Sequence, residues 1–312
     1  MGKLTFGWRM ATFSEDGTPA SVWRENVEEH MRRLEGQLTT VWIQDHIMPE
    51  TPWTKLDWDC IEAWSSLAHY AAAYPAYHFG HIVLANSYRP PALLAKMAAT
   101  TQILTRGRLI LGIGAGWSEP EYRNYGYEYP RPGVRLAQLN EAVQIIRKMW
   151  RESPASFDGE HFKISEAYCN PRPDPMIPLM IGGGGEKVTL RIVAQYADWH
   201  NCPGVSIEDA RRKLEVLRSH CDAVGRDYSS IKKTGSVSCL AVAPTRAEAE
   251  RAAQASPFFN ANTAIFGEPE EVADRLRAYG ELGMEHMIIR FADFPKIDGA
   301  MLFCEKVLPL IG

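Results

Sequence analysis

The chain has 312 residues, of which 46% are hydrophobic and 23% charged, and its formal net charge is −4. This composition suits a large folded core and excludes an intrinsically disordered chain. The negative net charge and the lack of a basic stripe argue against nucleic acid or an anionic membrane surface as the partner.

Strand-like apolar runs recur along the whole chain, beginning with its first residues. The opening segment, MGKLTFGW, reads as a strand and not as a signal peptide, and no apolar run approaches the roughly 18 residues of a membrane span. We therefore expect a soluble, cytoplasmic protein. The eight predicted strands are Leu4–Trp8, Thr39–Gln44, Tyr77–Ala85, Leu109–Gly114, Pro178–Ile181, Asp198–Asn201, Ile231–Ala243 and Met284–Arg290.

Helical patterns separate these strands. Apolar residues every three or four positions from Leu136 to Met149 predict an amphipathic helix after the fourth strand. Thr245 and Glu248 have the spacing of a capping box, and Pro269 suits the first turn of a later helix. Strand–helix units repeated over about 300 residues predict an α/β fold, a (β/α)8 TIM barrel that forms one domain over residues 1–312.

A doubly wound open sheet is the alternative fold, but no Gly-x-Gly-x-x-Gly follows the first strand. We expect insertions in the barrel after strands 4 and 7. The region after the fourth strand contains a long loop, Trp117–Pro132, and a hairpin, Ser156–Ile164, that turns at Asp158-Gly159.

No metal site is predicted. The six cysteines lie far apart, without the spacing of a zinc site or a disulfide framework, and we expect reduced thiols. His78 and His81 are three residues apart on a strand, so they face opposite sides of it. Neither His-Glu-x-x-His nor Gly-x-Ser-x-Gly occurs in the chain.

Asp45 and His46 follow the second predicted strand, where a barrel carries its catalytic residues. A histidine can exchange a proton near neutral pH, and an adjacent carboxylate can orient it. The alternative is a hydrogen bond at the strand end that tethers the next loop.

Two glycine-rich segments also follow predicted strands. The fourth strand ends in Gly112, Gly114 and Gly116, where the lack of a Cβ lets the backbone approach a flat ligand. The fifth strand runs into Gly182–Gly185, ahead of a helix that begins near Lys187. Free N–H groups at a helix N-terminus suit a phosphate, whereas the alternative is a flexible turn.

With these motifs the chain resembles the bacterial-luciferase-like flavin and deazaflavin oxidoreductases. The most specific segments are residues 89–100, RPPALLAKMAAT, and residues 107–117, GRLILGIGAGW. The resemblance continues through Glu121-Tyr122, the four glycines at 182–185, Ala197-Asp198 and the GEPEEV segment at residues 267–272.

The resemblance implies a barrel with an isoalloxazine-type ring at its carboxyl rim and a phosphate on Gly182–Gly185. It also implies a bulge with a non-proline cis peptide near Ile82-Val83 beneath the ring. Asp45-His46 matches a pair that deazaflavin-dependent members place beside the reactive ring carbon. The cofactor residues expected in this sequence are Ile82, Val83, Ala85, Asn86, Gly114, Ala115, Gly116, Gly182, Gly183, Gly184 and Gly185.

One position departs from the family pattern. In the sugar-phosphate dehydrogenases of this group a glutamate follows the glycines of the fourth strand, whereas this chain has Trp117. Tryptophan cannot transfer a proton, so a sugar phosphate is a doubtful substrate. The aromatic residues expected to contact a more hydrophobic or aromatic substrate are Trp8, Trp53, Trp117, Tyr122 and Trp199.

The predicted reaction is hydride exchange between coenzyme F420 and a small, hydrophobic or aromatic organic substrate. His46 donates or accepts the accompanying proton, and Asp45 holds the His46 side chain in place. An FMN-dependent monooxygenase that uses reduced flavin and O2 is the first alternative, and a flavin-binding barrel without turnover is the second. A homodimer is expected because dimers are usual among the relatives.

Overall fold

Parallel strands close into a barrel, and the computed structural model describes residues 4–49, 54–204 and 206–312. The strands of the barrel are largely buried, as expected for a sheet covered by helices, whereas the hairpin β6–β7 is largely exposed. The strands are β1 (Thr5–Arg9), β2 (Thr40–Ile43), β3 (His78–His81), β4 (Leu84–Ala85), β5 (Leu109–Gly114), β6 (Ala155–Asp158), β7 (Lys163–Ala167), β8 (Leu179–Gly182), β9 (Trp199–Cys202), β10 (Lys232–Val242), β11 (Ile265–Gly267) and β12 (His286–Phe291).

Helices cover the outside of the barrel. They bury apolar stripes such as that of the helix after β5, whose Leu139, Val143 and Ile146 are fully buried. The helices are α1 (Ala20–Arg33), α2 (Ala63–Ala73), α3 (Pro91–Leu104), α4 (Glu119–Asn124), α5 (Pro132–Arg151), α6 (Thr189–Tyr196), α7 (Ile207–Ala223), α8 (Arg246–Ala255), α9 (Pro269–Glu281), α10 (Asp298–Leu302) and α11 (Leu308–Ile311).

The barrel order is β1, β2, β3, β5, β8, β9, β10 and β12, and β12 pairs with β1 to close it. The (β/α)8 prediction is therefore confirmed, including all eight predicted strands. The third predicted strand, Tyr77–Ala85, is divided into β3 and β4 by Ile82 and Val83. Within the described residues, no helix is long and apolar enough to cross a membrane.

Both expected insertions are present. The segment predicted as a loop after the fourth barrel strand contains the short helix α4, and the predicted hairpin is the antiparallel pair β6–β7. After the seventh barrel strand, α8 leads to β11, which extends the sheet alongside β10. Thr245 caps α8 and Pro269 opens α9, as their positions predict. All six cysteines are free thiols.

Candidate active site

A cavity of about 460 Å³ opens at the carboxyl end of the barrel strands. Its volume is typical of small-molecule sites, and active sites of this fold lie at this end. Its wall includes Arg9, Gln44, Asp45, His46, Ile82, Val83, Ala85, Gly114, Ala115, Gly116, Trp117, Ser118, Glu121, Leu136, Gly182, Gly183, Thr189, Asn201, Ser236 and Ser238.

His46 lies in the cavity wall and is oriented by Glu121 of α4. Both Glu121 carboxylate oxygens lie 3.2 Å from His46 Nδ1. The Ile47 N–H and the Tyr88 hydroxyl also donate to Glu121, at 2.8 and 3.0 Å. Burial raises the pKa of this carboxyl, but the hydrogen bonds and the charge of His46 outweigh it, so the pKa lies below its usual range. A carboxylate at Nδ1 leaves Nε2 to exchange a proton with a ligand.

Asp45 does not orient His46, so that part of the predicted pair is wrong. Arg89 donates to both Asp45 carboxylate oxygens, at 2.9 and 3.0 Å, and the Ala85 N–H donates at 2.9 Å. A bidentate guanidinium pair of this kind is among the strongest side-chain hydrogen bonds. Asp45 therefore tethers the segment after β4, which is the alternative that the sequence left open, while still forming part of the cavity wall.

The bulge in the third barrel strand lies at the floor of the cavity. The Ile82–Val83 peptide bond is cis, at the position that the family resemblance implies. A Cβ on Gly114 or Gly182 would lie 2.8 or 2.7 Å from a γ carbon of Val83. These two glycines therefore make room for the Val83 side chain, a role that the sequence pattern does not indicate.

The glycine run joins β8 to α6, as predicted, and its first residues, Gly182 and Gly183, line the cavity. Burial lowers the pKa of His200 to about 4, so this histidine is neutral and its Nε2 donates to the Gly183 carbonyl at 3.0 Å. Within the described ranges, no oxygen accepts from the N–H groups of Gly184 and Gly185. These donors, next to the N-terminus of α6, are suited to an anion.

Trp117 is the predicted aromatic residue that lines the cavity. Its side chain is 65% exposed and meets the His46 ring edge-on, with 5.9 Å between the ring centroids. Leu136 of α5 adds an apolar side chain to the same wall. The cavity therefore has an apolar and aromatic side next to His46.

Three other aromatic candidates, Trp8, Tyr122 and Trp199, do not line the cavity. Trp8 is buried outside the barrel, stacked on His30, and Trp199 lies at the amino end of β9, beneath the Lys232 ammonium. Tyr122 is fully buried and fills the space where Gly116 lacks a side chain. Position in sequence could not show that Trp8 packs against α1 and not in the cavity, because residues of a strand alternate between its two faces. Trp53 lies outside the described residues.

Asn86 lies beside the cavity wall and not in it. Its side chain is buried, and it lines a separate depression with Arg89 and Tyr127. Gly184 and Gly185 continue the run beyond the cavity-lining glycines. The structure thus brings together most, but not all, of the residues expected around a cofactor.

Sequence reasoning did not assign a role to several polar residues of the wall. Glu121 appeared only within a family motif, and its role depends on a contact with His46 across 75 residues. Arg9 directly follows the first apolar strand, a position at the catalytic rim that could have marked it as a candidate. Ser236 and Ser238 lie within β10, where nothing in the sequence distinguishes them from strand residues.

A family model described as luciferase-like monooxygenase matches residues 4–261. The chain belongs to this luciferase-like family. It is 26% identical over 326 aligned residues, covering 92% of this chain and 94% of the relative, to the F420-dependent glucose-6-phosphate dehydrogenase of Amycolatopsis mediterranei. The luciferase-like chain is accordingly an enzyme of the oxidoreductase class.

Solved structures share the fold of this luciferase-like enzyme. An F420-dependent secondary alcohol dehydrogenase in complex with an F420–acetone adduct superposes with a TM-score of 0.84 and 19% identity, over 100% of both chains. The monooxygenase RslO1 from Streptomyces bottropensis superposes with a TM-score of 0.78 and 18% identity, over 99% of this chain and 100% of that one.

The Glu121 carboxylate predicts a pH dependence of stability in this luciferase-like enzyme. The pKa of Glu121 is lower in the folded than in the unfolded protein. The carboxylate therefore stabilises the fold at pH values above its unfolded pKa of 4.5, and this stabilisation is lost as the pH falls through the folded pKa. At pH 7 we expect Glu121→Gln to reduce the free energy of unfolding by about 1–3 kcal/mol. Below pH 4.5 the difference from the parent enzyme should narrow.

Urea unfolding at several pH values measures this difference. Glu119→Gln is the matched control, since it removes a half-exposed carboxylate of the same helix. An exposed ion pair contributes little, so the control should stay close to the parent enzyme at each pH. A difference for Glu121→Gln that is the same at pH 4 and pH 7 would contradict the prediction.

Proposed function

We propose that this enzyme transfers a hydride between coenzyme F420 and a small, hydrophobic or aromatic organic substrate. The carrying observation is that a histidine–glutamate pair and the first two residues of a glycine run, Gly182 and Gly183, line one cavity. The N–H groups of the next two glycines have no acceptor within the described residues. One end of that cavity suits the phosphate of a cofactor, and the other suits proton transfer. The F420-dependent relatives support the same cofactor.

The residues of the cavity fit such a cofactor. The N–H groups of Gly184 and Gly185, which have no acceptor among the described residues and directly follow the cavity-lining glycines, would hold its phosphate together with the Thr189 hydroxyl at the start of α6. Ile82, Val83 and Ala115 supply an apolar floor for a flat ring. When bound, F420 supplies a two-electron hydride acceptor or donor.

His46 would move the proton that accompanies the hydride. Its Nδ1–H donates to the Glu121 carboxylate, so Nε2 carries the lone pair that accepts a proton from a substrate hydroxyl. Glu121 keeps its hydrogen bond to Nδ1 throughout and so holds the ring in position for the transfer. In the reverse direction the imidazolium returns the proton from the same nitrogen.

The substrate side of the cavity favours an apolar or aromatic group over a sugar. Trp117 and Leu136 present apolar surface next to His46. Burying the hydroxyls of a sugar against these side chains would leave them without hydrogen-bond partners, which costs free energy. A sugar phosphate is therefore not the proposed substrate, although relatives act on glucose 6-phosphate.

Titration of the purified protein with F420 and with FMN, followed by absorbance and fluorescence, tests the proposal. We expect F420 to bind and to be reduced by at least one member of a panel of secondary alcohols, without oxygen consumption. Binding of reduced FMN with oxygen uptake would instead support a monooxygenase. A bound cofactor that no candidate substrate oxidises or reduces would support the non-catalytic barrel.

The glycine run carries a separate prediction. Gly183 has a φ of +126°, where a side chain is strained, so Gly183→Ala should shift the loop that presents the amides. We expect the F420 dissociation constant to rise about tenfold, the loss of roughly one good hydrogen bond to a charged group. Fluorescence titration measures it.

Gly225→Ala is the matched control for this prediction. Gly225 also has a positive φ, of +67°, but it lies just after the end of α7, and no atom of the described residues lies within 4 Å of the position that a Cβ would take there. Both variants should lose some stability, and only Gly183→Ala should lose cofactor affinity. Equal F420 affinities in the two variants would exclude the glycine run as the phosphate site.

The organisation into a single domain, the homodimer and the cytoplasmic location stay predictions from the sequence and the family resemblance. Size-exclusion chromatography with light scattering would measure the number of chains in the particle. A monomer at micromolar concentration would contradict the expected homodimer.

A further inference from the structure

Arg9 is a charged side chain of the cavity wall that has few partners. It ends β1, and its Nη1 donates to Ser238 Oγ at 3.4 Å, a long hydrogen bond. Its Nε is buried, and within the described ranges it has no acceptor. A guanidinium offers five N–H donors, so most of the donors of Arg9 have no acceptor among the residues that the structure describes.

The carboxylates around the cavity are already engaged. Asp45 binds Arg89, and Glu121 binds His46. Glu15 lies close enough to favour the charged form of Arg9, but its carboxylate is ion-paired with Arg290 at 2.5 Å. Burial and then the positive charge of Arg290 lower the pKa of Arg9, which is consistent with a cation that lacks a matched anion.

Arg290, by contrast, uses both of its terminal nitrogens, although its Nε, like that of Arg9, has no acceptor within the described ranges. It donates to Glu15 and to the Gln44 side-chain oxygen, and its guanidinium lies 3.7 Å from the centroid of the Phe258 ring. This arrangement leaves the amide NH2 of Gln44 as the donor end of that side chain. Arg9, Gln44 and Ser238 thus offer hydrogen-bond donors from three strands or strand ends to the same cavity.

The position of Arg9 on the rim separates it from the glycine run. In the barrel order, β8 lies four strands from β1 in either direction, so Gly183 and Arg9 are on opposite sides. His46, in contrast, follows the neighbouring strand β2. An anion at Arg9 would therefore lie on the substrate side, near the proton-transfer group, and away from the cofactor phosphate.

We propose that Arg9 binds a carboxylate of the substrate and so selects apolar or aromatic acids over neutral molecules of the same shape. A guanidinium matches the two oxygens of a carboxylate, and the Ser238 hydroxyl and Gln44 amide add further donors. This inference rests on the proposed function, because it takes His46 to mark the reacting end of the substrate.

Benzoate and benzamide are suitable probes, since they share a shape and differ in charge. Their binding to the full-length protein is measured by calorimetry, without turnover. We expect the parent protein to bind benzoate at least about tenfold more tightly than benzamide. Arg9→Gln should weaken benzoate binding about 10- to 100-fold and change benzamide binding less than about twofold.

Two further variants act as controls. Arg33→Gln removes an exposed positive charge of α1 and should leave both affinities unchanged. Arg9→Lys keeps the charge but loses the planar pair of donors, so it should retain part of the preference for benzoate. Thermal unfolding of each variant verifies that it is folded.

Several outcomes would overturn the assignment. One is that the parent protein binds benzoate and benzamide with equal affinity. Another is that Arg9→Gln weakens the binding of both probes equally. A third is that Arg9→Gln loses affinity for F420, which would assign Arg9 to the cofactor. Titration of the parent protein with F420 distinguishes a failure of the carboxylate site from a failure of the proposed function. If F420 does not bind but benzoate selection depends on Arg9, the proposed cofactor is wrong and the carboxylate site stands.

Discussion

Replacing His46 by Asn is expected to lower the turnover of the F420-loaded enzyme about 100-fold or more, the usual contribution of a general acid or base. Asparagine preserves a hydrogen bond to Glu121 but cannot accept or release the proton of a reacting hydroxyl. The affinity for F420 should change little, because the proposed phosphate site lies at the glycine run, whose Gly182 and Gly183 line another part of the cavity. Steady-state kinetics and a fluorescence titration on the same preparation measure both quantities.

His69→Asn is the matched control for this variant. His69 is an exposed residue of α2, so the same chemical change there should leave kcat and F420 affinity at their parent values. A His46→Asn enzyme with an unchanged rate would remove His46 from the mechanism. A parallel loss of F420 affinity would instead assign His46 to cofactor binding.

Gly112→Ala is expected to have the largest effect on stability. A Cβ at this position would lie 1.9 Å from the His81 carbonyl oxygen and 2.9 Å from Met180 Cε. The carbonyl belongs to the backbone of β3, which cannot move aside without disturbing its pairing with β2 and β5. Overpacking of a rigid site costs about 3 kcal/mol or more, so the thermal unfolding midpoint should fall markedly.

Gly133→Ala is the control that shows whether a glycine-to-alanine change lowers stability where there is room for the Cβ. Gly133 lies in the first turn of α5, and in the part of the chain that the structure describes no atom lies within 4 Å of a Cβ built there. Alanine is the better helix former, so this variant should be as stable as the parent or slightly more stable. Equal unfolding midpoints for Gly112→Ala and the parent enzyme would contradict this prediction. They would mean that β3 can shift to make room for the Cβ at little cost in stability.

The barrel was predictable because each of its strands is recognisable from a short segment of the sequence alone. A parallel strand covered on both faces leaves a continuous apolar run, and Leu109–Gly114 is both the predicted and the observed fourth barrel strand. The helices likewise show an apolar stripe every three or four residues. The sequence did not predict the short helix α4, because it has only six residues and lies among the Glu, Pro and Tyr residues of a segment predicted as a loop.

The candidate site was predictable wherever a residue directly follows a strand. His46, Trp117 and Gly182–Gly183 all line the cavity because the carboxyl ends of parallel strands meet at one rim. The identity of their partners was not predictable in this way. Asp45 is the neighbour of His46 in sequence, but its carboxylate binds Arg89.

The amino-acid sequence by itself determined the fold class, the family and the rim at which the chemistry lies, because burial periodicity and glycine placement are local signals. Only the tertiary structure decided that Glu121 orients His46, that Trp8 and Trp199 lie outside the cavity wall, and that Arg9 is part of it. A side chain's partner depends on which distant segments the closed barrel brings within a few ångströms. That proximity is a property of the packing, and no local pattern encodes it.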